Sequence, residues 1–307
     1  MRIVVLGAGA LGAYFGARWM ETGVDVTFLV REKRAAQIRE NGIRLNSTKG
    51  DYVAANPRVV TDADEIEAAD LVLVSVKGYH LDGTLDQLRT LADKGACVLP
   101  VLNGMEHVSL LQKELGKKTV IGGLAFIFAG LNDKGHVEHT GNAHQLLFGP
   151  LDESQKVICD QLEAINQDAV IDSRQTEDIS RELWKKYMFI NALSGVTTAA
   201  NLPIGPIRNH PETFHIVEML LQEMKQLANA YDGKLTDADV TAAKQNLSNL
   251  DPEATSSTHK DRRKGATLEV DHLHGGAVRL AEAVNVAMPY TRTVLGLVKP
   301  FEYGGGN

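Results

Sequence analysis

Apolar residues fall in two distinct patterns along this chain. In the first half they gather in short, nearly unbroken runs: Ile3-Val4-Val5-Leu6, Asp25-Val26-Thr27-Phe28-Leu29-Val30, Leu71-Val72-Leu73-Val74-Ser75-Val76 and Cys97-Val98-Leu99-Pro100-Val101. Runs of this length, apolar at successive positions, read as strands buried on both faces, and the segments between them carry helical spacing. The alternation predicts a parallel sheet with helices on both sides. Closer strand candidates follow at Gly122–Ala129, Val137–His139 and Gln145–Phe148, which predict an antiparallel extension at one edge. A helix from about Glu153 to Asn166 and a short strand, Ala169–Ile171, complete this part.

The pattern changes near Asp172. Beyond Thr176 the apolar positions recur at helical spacing, as in Leu220, Leu221, Met224 and Leu227, and helices are expected over Glu177–Val196, Glu212–Tyr231, Asp237–Leu247 and Leu268–Val284. Polar turns at Asp232-Gly233 and Asn249–Thr255 separate them. The expected organisation is α/β: a doubly wound domain over residues 1–172, then an all-helical domain over residues 173–307, with a cleft where they meet. The chain shows no internal repeat, and Gly304-Gly305-Gly306 reads as a frayed tail.

The first strand runs directly into Gly7-Ala8-Gly9-Ala10-Leu11-Gly12, and a helical pattern follows. Strand, glycine turn and helix start form the context that a dinucleotide-binding fingerprint requires, which makes the first domain Rossmann-type. Gly7 permits the turn, Gly9 lets the backbone approach a pyrophosphate, and Gly12 allows helix and strand to pack closely. The N–H groups opening the helix, at Ala10, Leu11 and Gly12, then face the phosphates. The second strand ends at Arg31, where an NAD-binding chain commonly carries Asp or Glu for the ribose 2′-hydroxyl. A guanidinium grips a 2′-phosphate that a carboxylate would repel, so Arg31 points to NADP, with Arg34 able to add a second positive charge. Glu32, one position further on, is the residue that would favour NAD instead.

Composition sharpens this only modestly. The 307 residues suffice for two domains with cores of their own, at 44% hydrophobic and 23% charged residues. A net charge of −7 argues against nucleic acid or an acidic membrane as partner. The short basic run Lys260, Arg262, Arg263, Lys264 reads as a solvated helix face or a phosphate contact. Two cysteines, Cys97 and Cys159, make no disulfide framework and read as small core residues of a reducing compartment. The glycine spacing accounts for the apolar stretch to Ala17, so no signal peptide is read there, and a cytoplasmic location is expected.

Ligands of open α/β sheets bind at the carboxyl ends of strands, and Lys77 and Asn103 follow two successive strand ends. Asn103 both donates and accepts, and so can orient a carbonyl or an amide. Later, Trp184-Lys185-Lys186-Tyr187 sits on a helix where Lys186, Ile190 and Ser194 share a face. Sequence alone leaves open which of Lys185 and Lys186 turns inward. His136, His139 and His144, and the His272-x-His274 pair, lack the spacing of a metal site, and no metal is expected.

The chain resembles the 2-dehydropantoate 2-reductase (ketopantoate reductase) family over essentially its whole length. The matching pieces are the GAGALG start, Arg31, Ser75-Val76-Lys77, Leu102-Asn103-Gly104, Leu183-Trp184-Lys185-Lys186, and Ser257 to Asp271 with its Ser257, Asp261 and Glu269-Val270-Asp271 spacing. The resemblance implies an NADPH-dependent reductase of a 2-oxo acid, with ketopantoate first among substrates. It implies Lys186 as the general acid, Glu269 as its acidic partner at the cofactor and substrate, and Ser257 on the substrate carboxylate. Lys77 and Asn103 would line the nicotinamide and substrate site, and Arg31 would hold the 2′-phosphate. It also allows a homodimer through the helical domain. Where the family carries asparagines four, eight and eighteen residues after the lysine, this chain has Ile190, Ser194 and Ile204, with Asn191 and Asn201 nearby. Ser194 is retained as a candidate substrate contact, and the two isoleucines would suit an alkyl or aryl 2-oxo acid. The rivals are therefore a 2-hydroxyacid dehydrogenase for branched or aryl acids and a non-catalytic NADP(H)-binding sensor.

Overall fold

The computed structural model describes residues 1–304; Gly305 and Gly306 of the expected tail lie outside the described residues. Two compact units form, one of Met1–Leu102 with His107–Ile179, the other of Asn103–Glu106 with the chain from Ser180 onward.

The first unit begins with β1 (Arg2–Leu6), α1 (Ala10–Glu21), β2 (Asp25–Leu29) and α2 (Glu32–Asn41). It continues through β3 (Ile43–Ser47), β4 (Tyr52–Ala54), β5 (Arg58–Val60), β6 (Leu71–Val74), α3 (Leu85–Asp93) and β7 (Cys97–Pro100). Then come α4 (Glu106–Leu115, its first residue in the other unit), β8 (Gly122–Leu131), β9 (Val137–Gly149), α5 (Lys156–Asn166) and β10 (Asp172–Gln175). Five strands make a parallel sheet in the order β5-β2-β1-β6-β7. The chain winds outward from β1 through β2 to β5, then returns to add β6 and β7 on the other side. The order therefore reverses between β1 and β6, the switch point at which doubly wound sheets bind ligands. Both faces are dry: Val5, Phe28, Leu71 and Leu73 enter one core, and Val4, Leu29, Val72, Val74 and Val98 the other.

In place of an antiparallel extension at one edge, the remaining strands form a separate, mixed sheet ordered β10-β9-β3-β4 with β8 on β9, in which β3–β4 and β8–β9 are antiparallel and β3–β9 and β10–β9 parallel. The expected strands Val137–His139 and Gln145–Phe148 are one strand of 13 residues, β9, bulged opposite Ile127 and Ala129. The strand expected at Ala169–Ile171 lies instead at Asp172–Gln175. Ala169 and Ile171 are buried as the chain turns, and the polar residues after them pair with Gln145–Phe148 as a half-exposed edge.

The second unit is helical: α6 (Ile179–Ala200), α7 (Ile204–Arg208), α8 (Pro211–Ala230), α9 (Asp237–Asn249), α10 (Ser257–Arg263), α11 (Gly276–Ala283) and α12 (Pro289–Val298). The helix expected over Leu268–Val284 is interrupted, because Asp271–Gly275 forms a π-helical turn before α11 begins. Trp184, Leu220, Leu221, Met224, Leu227 and Val298 anchor one shared core. The basic run is only partly a solvated face, since Arg262 donates to the carbonyls of Thr198 and Ala199 at the end of α6 and stacks 3.8 Å from the Phe301 ring. No described helix is long and apolar enough to cross a membrane.

Candidate active site

At the carboxyl end of β1 the backbone turns at Gly7, whose φ of +93° favours glycine. The turn is fixed by two bonds: Gly7 N donates to Leu29 O at 3.0 Å, and Ser75 Oγ donates to Gly7 O at 2.6 Å. Gly12 packs against that corner so closely that a Cβ would stand 2.1 Å from Gly7 O and 2.2 Å from Ser75 Oγ. Gly9 is the opposite case, for a Cβ there would meet nothing within 4 Å. Gly9 is also the N-cap of α1 and supplies no side-chain cap. The N–H groups of Ala10, Leu11 and Gly12 accordingly lack acceptors within the helix. An exposed, uncapped N-terminus at the switch point is a place for an anionic group.

Arg31 is exposed directly after β2, and its Nη2 donates to Nε2 of His80 at 3.3 Å. His80 lies in the short 3-10 turn that follows Lys77, beyond the end of β6, which is separated from β2 by β1. The signal for His80 in the sequence is its place three residues after Lys77, beyond a strand end. Arg34 does not add a second charge for a ligand. Its Nε donates to Ala8 O at 2.8 Å and its Nη2 to Gly135 O at 3.0 Å, so it braces the glycine turn from below. Glu32 opens α2 and lies 3.5 Å from Arg39, an exposed pair of little energetic weight.

In the second unit, α6 resolves the ambiguity of the two lysines. Lys185 faces outward, 3.1 Å from Glu182 and 3.7 Å from Asp239. Lys186 turns inward and is only 7% exposed. Burial pulls its ammonium down to about 8, while the charge of Glu269, itself buried, works in the opposite direction and holds the proton on. An ammonium of this kind is cationic at neutral pH yet gives up its proton readily, which suits a general acid.

The other expected contacts have different fates. Ser194 is buried, and its Oγ has no hydrogen-bond partner within the protein. Ser257 is exposed as the first residue of α10; the capping role belongs to Ser256, whose Oγ accepts from His259 N at 3.1 Å. Asn103 has its backbone carbonyl held by Nε2–H of His272 at 2.8 Å. Lys77 is half-buried at the start of its 3-10 turn. Of the nearby asparagines, Asn201 is already engaged with His259 at 3.2 Å, whereas the Asn191 amide is fully buried without a protein partner. Ile204 is a core residue and Ile190 packs on the same core.

The histidines are structural. His139 bridges Ser47 Oγ at 2.8 Å and Ala143 O at 3.0 Å, and His144 meets the Tyr14 hydroxyl at 3.2 Å. His272 and His274 bond different backbone carbonyls. Among the described residues no cluster of His, Cys, Asp or Glu has the makings of a metal site. Cys97 and Cys159 are free thiols, and burial pushes Cys159 up to about 12.

A parallel sheet with an open anion cradle at its switch point and a separate helical unit holding a buried lysine are features of oxidoreductases that use a dinucleotide. Residues 3–153 match the family described as Ketopantoate reductase PanE/ApbA, and residues 178–302 match its C-terminal domain. An uncharacterized oxidoreductase, YkpB, from Bacillus subtilis is 31% identical over 98% of this chain and 99% of its own. The crystal structure of 2-dehydropantoate 2-reductase from Geobacter metallireducens superposes with a TM-score of 0.89 at 27% identity, covering 98% of this chain and 99% of that one. D-mandelate dehydrogenase, solved with NADH and anilino(oxo)acetate, shares the fold with a TM-score of 0.88 at 22% identity, covering 98% of both chains. The chain belongs to the ketopantoate reductase family and is an oxidoreductase acting on CH–OH groups.

Proposed function

We propose that this protein reduces a 2-oxo acid to the 2-hydroxy acid with NADPH, and that 2-dehydropantoate is its foremost substrate, which would make it an enzyme of pantothenate biosynthesis. The observation that carries the reading is Lys186, a buried ammonium drawn down to about 8 beside the charge of Glu269. A buried lysine is costly unless paired or used, and a sensor that only bound nucleotide would need neither group.

Gly7, Gly9, Ala10, Leu11 and Gly12 would hold the pyrophosphate, and Arg31 the 2′-phosphate. When bound, NADPH supplies the hydride that adds to the carbonyl carbon. Lys186 Nζ donates a hydrogen bond to the carbonyl oxygen and gives it a proton as negative charge develops there. The Glu269 carboxylate keeps Lys186 charged until that moment and accepts from the substrate hydroxyl. Ser257 binds the substrate carboxylate, Asn103 and Ser194 add polar contacts, and Lys77 completes the nicotinamide side.

A pH dependence follows. The acid must be protonated, so kcat/KM for reduction should fall as pH rises through about 8 rather than near lysine's ordinary 10.5. A pH–rate profile flat to pH 10 would remove Lys186 as the titrating acid.

Ile190 and Ile204 favour a second reading. Both belong to the apolar core, so two of three positions that carry asparagine in the resembled pattern offer no hydrogen bond. A site lacking partners for a hydroxylated substrate discriminates poorly in its favour, and a branched or aryl 2-oxo acid becomes the competitor. The structural likeness to D-mandelate dehydrogenase is compatible with that, though at 22% identity it speaks for the fold alone. Initial rates of NADPH oxidation with 2-dehydropantoate and a series of alkyl and aryl 2-oxo acids decide the matter. We expect the highest kcat/KM for 2-dehydropantoate; a higher value for an alkyl or aryl acid would assign the protein to the second reading.

A further inference from the structure

The π-helical turn Asp271–Gly275 stands two residues after Glu269, and two reciprocal hydrogen bonds tie it to the helix that carries Lys186. A π-turn carries its backbone out of the regular α ladder, and such turns recur at functional sites. Here the Leu273 carbonyl accepts from the hydroxyl of Tyr187 on α6 at 2.5 Å. In the other direction, Nε2–H of His274 donates to the backbone carbonyl of Asn191 at 3.1 Å, one turn further along α6. Leu273 N in turn donates to Glu269 O at 2.8 Å, so the residue whose carbonyl is clamped is bonded through its own N–H to the residue bearing the carboxylate. Both clamping side chains are 1% exposed. Gly195 leaves room for the imidazole, since a Cβ there would stand 2.9 Å from His274 Nε2.

We infer that Tyr187 and His274 are positioning residues, which hold the Lys186 helix and the Glu269 turn in the one register that keeps ammonium and carboxylate acting on each other. The inference rests on the reading of Lys186 as proton donor. Neither residue touches substrate in this account. The clamp is also no pH switch: burial keeps the His274 imidazole neutral down to about 4, and burial raises the Tyr187 phenol well above its usual range. The Tyr187 ring is fixed independently by stacking on Trp184, with centroids 6.0 Å apart. Tyr187→Phe therefore keeps the packing and removes only the bond to Leu273.

The test pairs steady-state kinetics with a direct titration of Lys186 in the cofactor-free protein. The titration follows its 13Cε resonance, assigned by its loss in Lys186→Arg. In Tyr187→Phe, kcat should fall about tenfold, while KM and the NADPH Kd change less than about threefold, because the geometry of proton transfer suffers rather than binding. The Lys186 midpoint should fall by about half a unit or more, as the carboxylate charge that holds the proton on moves out of register. His274→Leu should behave alike, and His274→Gln, which keeps an amide N–H near the position of Nε2, should recover most of both effects. If both variants lose only thermal stability, with kcat and the lysine midpoint unchanged, the residues merely fill the core and the inference fails. Normal turnover by Lys186→Ala would instead overturn the proton-donor reading, and the midpoint in Tyr187→Phe would still decide whether the clamp sets the lysine's surroundings.

Discussion

Lys186→Ala is expected to lower kcat for 2-oxo acid reduction by about 10²–10⁴-fold, with the NADPH Kd within about twofold of wild type. The size reflects the loss of a charged donor from a dry site, where the developing alkoxide would have no proton source. Cofactor binding should survive because the phosphate cradle is built from the glycine turn and α1, in the other compact unit. The same residue carries a stability signature of opposite sign. Burial depresses the lysine in the folded state from 10.5 to about 8, so between those values the unfolded chain binds more protons and stability rises with pH. At pH 7 the ammonium is a net cost to folding, and Lys186→Met should raise Tm while abolishing turnover. Loss of activity together with a lower Tm would point to a damaged fold instead of a missing acid.

Arg31→Ala should raise the Kd for NADPH by roughly 10- to 100-fold, corresponding to about 1.5–3 kcal/mol for hydrogen bonds to a charged group, and change the Kd for NADH less than about threefold. The guanidinium is exposed at the end of β2. Arg34, three residues on, is already committed to Ala8 and Gly135, so it cannot take over. Fluorescence titration with both nucleotides measures the two constants directly. Equal weakening of NADPH and NADH would mean that Arg31 braces the site without recognising the phosphate.

What could be read from the sequence divides along the range of the interactions involved. The glycine turn was legible because its demands are local: Gly7 needs its own φ, Gly12 needs space one turn away, and Arg31 follows its strand immediately. Lys186 could not be told from Lys185 by periodicity, because the phase at which α6 packs on its core decides which one is buried, leaving Lys185 beside Glu182 and Asp239. β3 and β4 are short and partly polar, and β3 is defined by pairing with β9, far away in sequence. The π-turn is invisible to helical spacing, since its stabilising partners, Tyr187 and Asn191, lie on α6. Ser256 and Ser257 are chemically equivalent in sequence, and only the path of the chain makes one the cap and leaves the other exposed.

The most direct test of the account is isotopic. The protein is incubated with a 2-oxo acid, 2-dehydropantoate first, and NADPH stereospecifically deuterated at the transferable C4 position, and the hydroxy acid is analysed by mass spectrometry and NMR. Direct hydride transfer with Lys186 supplying the second hydrogen predicts one deuterium at C2, retained in ordinary water, and a solvent-derived proton on the oxygen. A hydroxy acid without deuterium from either C4 epimer, or no oxidation of NADPH with any 2-oxo acid tried, would contradict it.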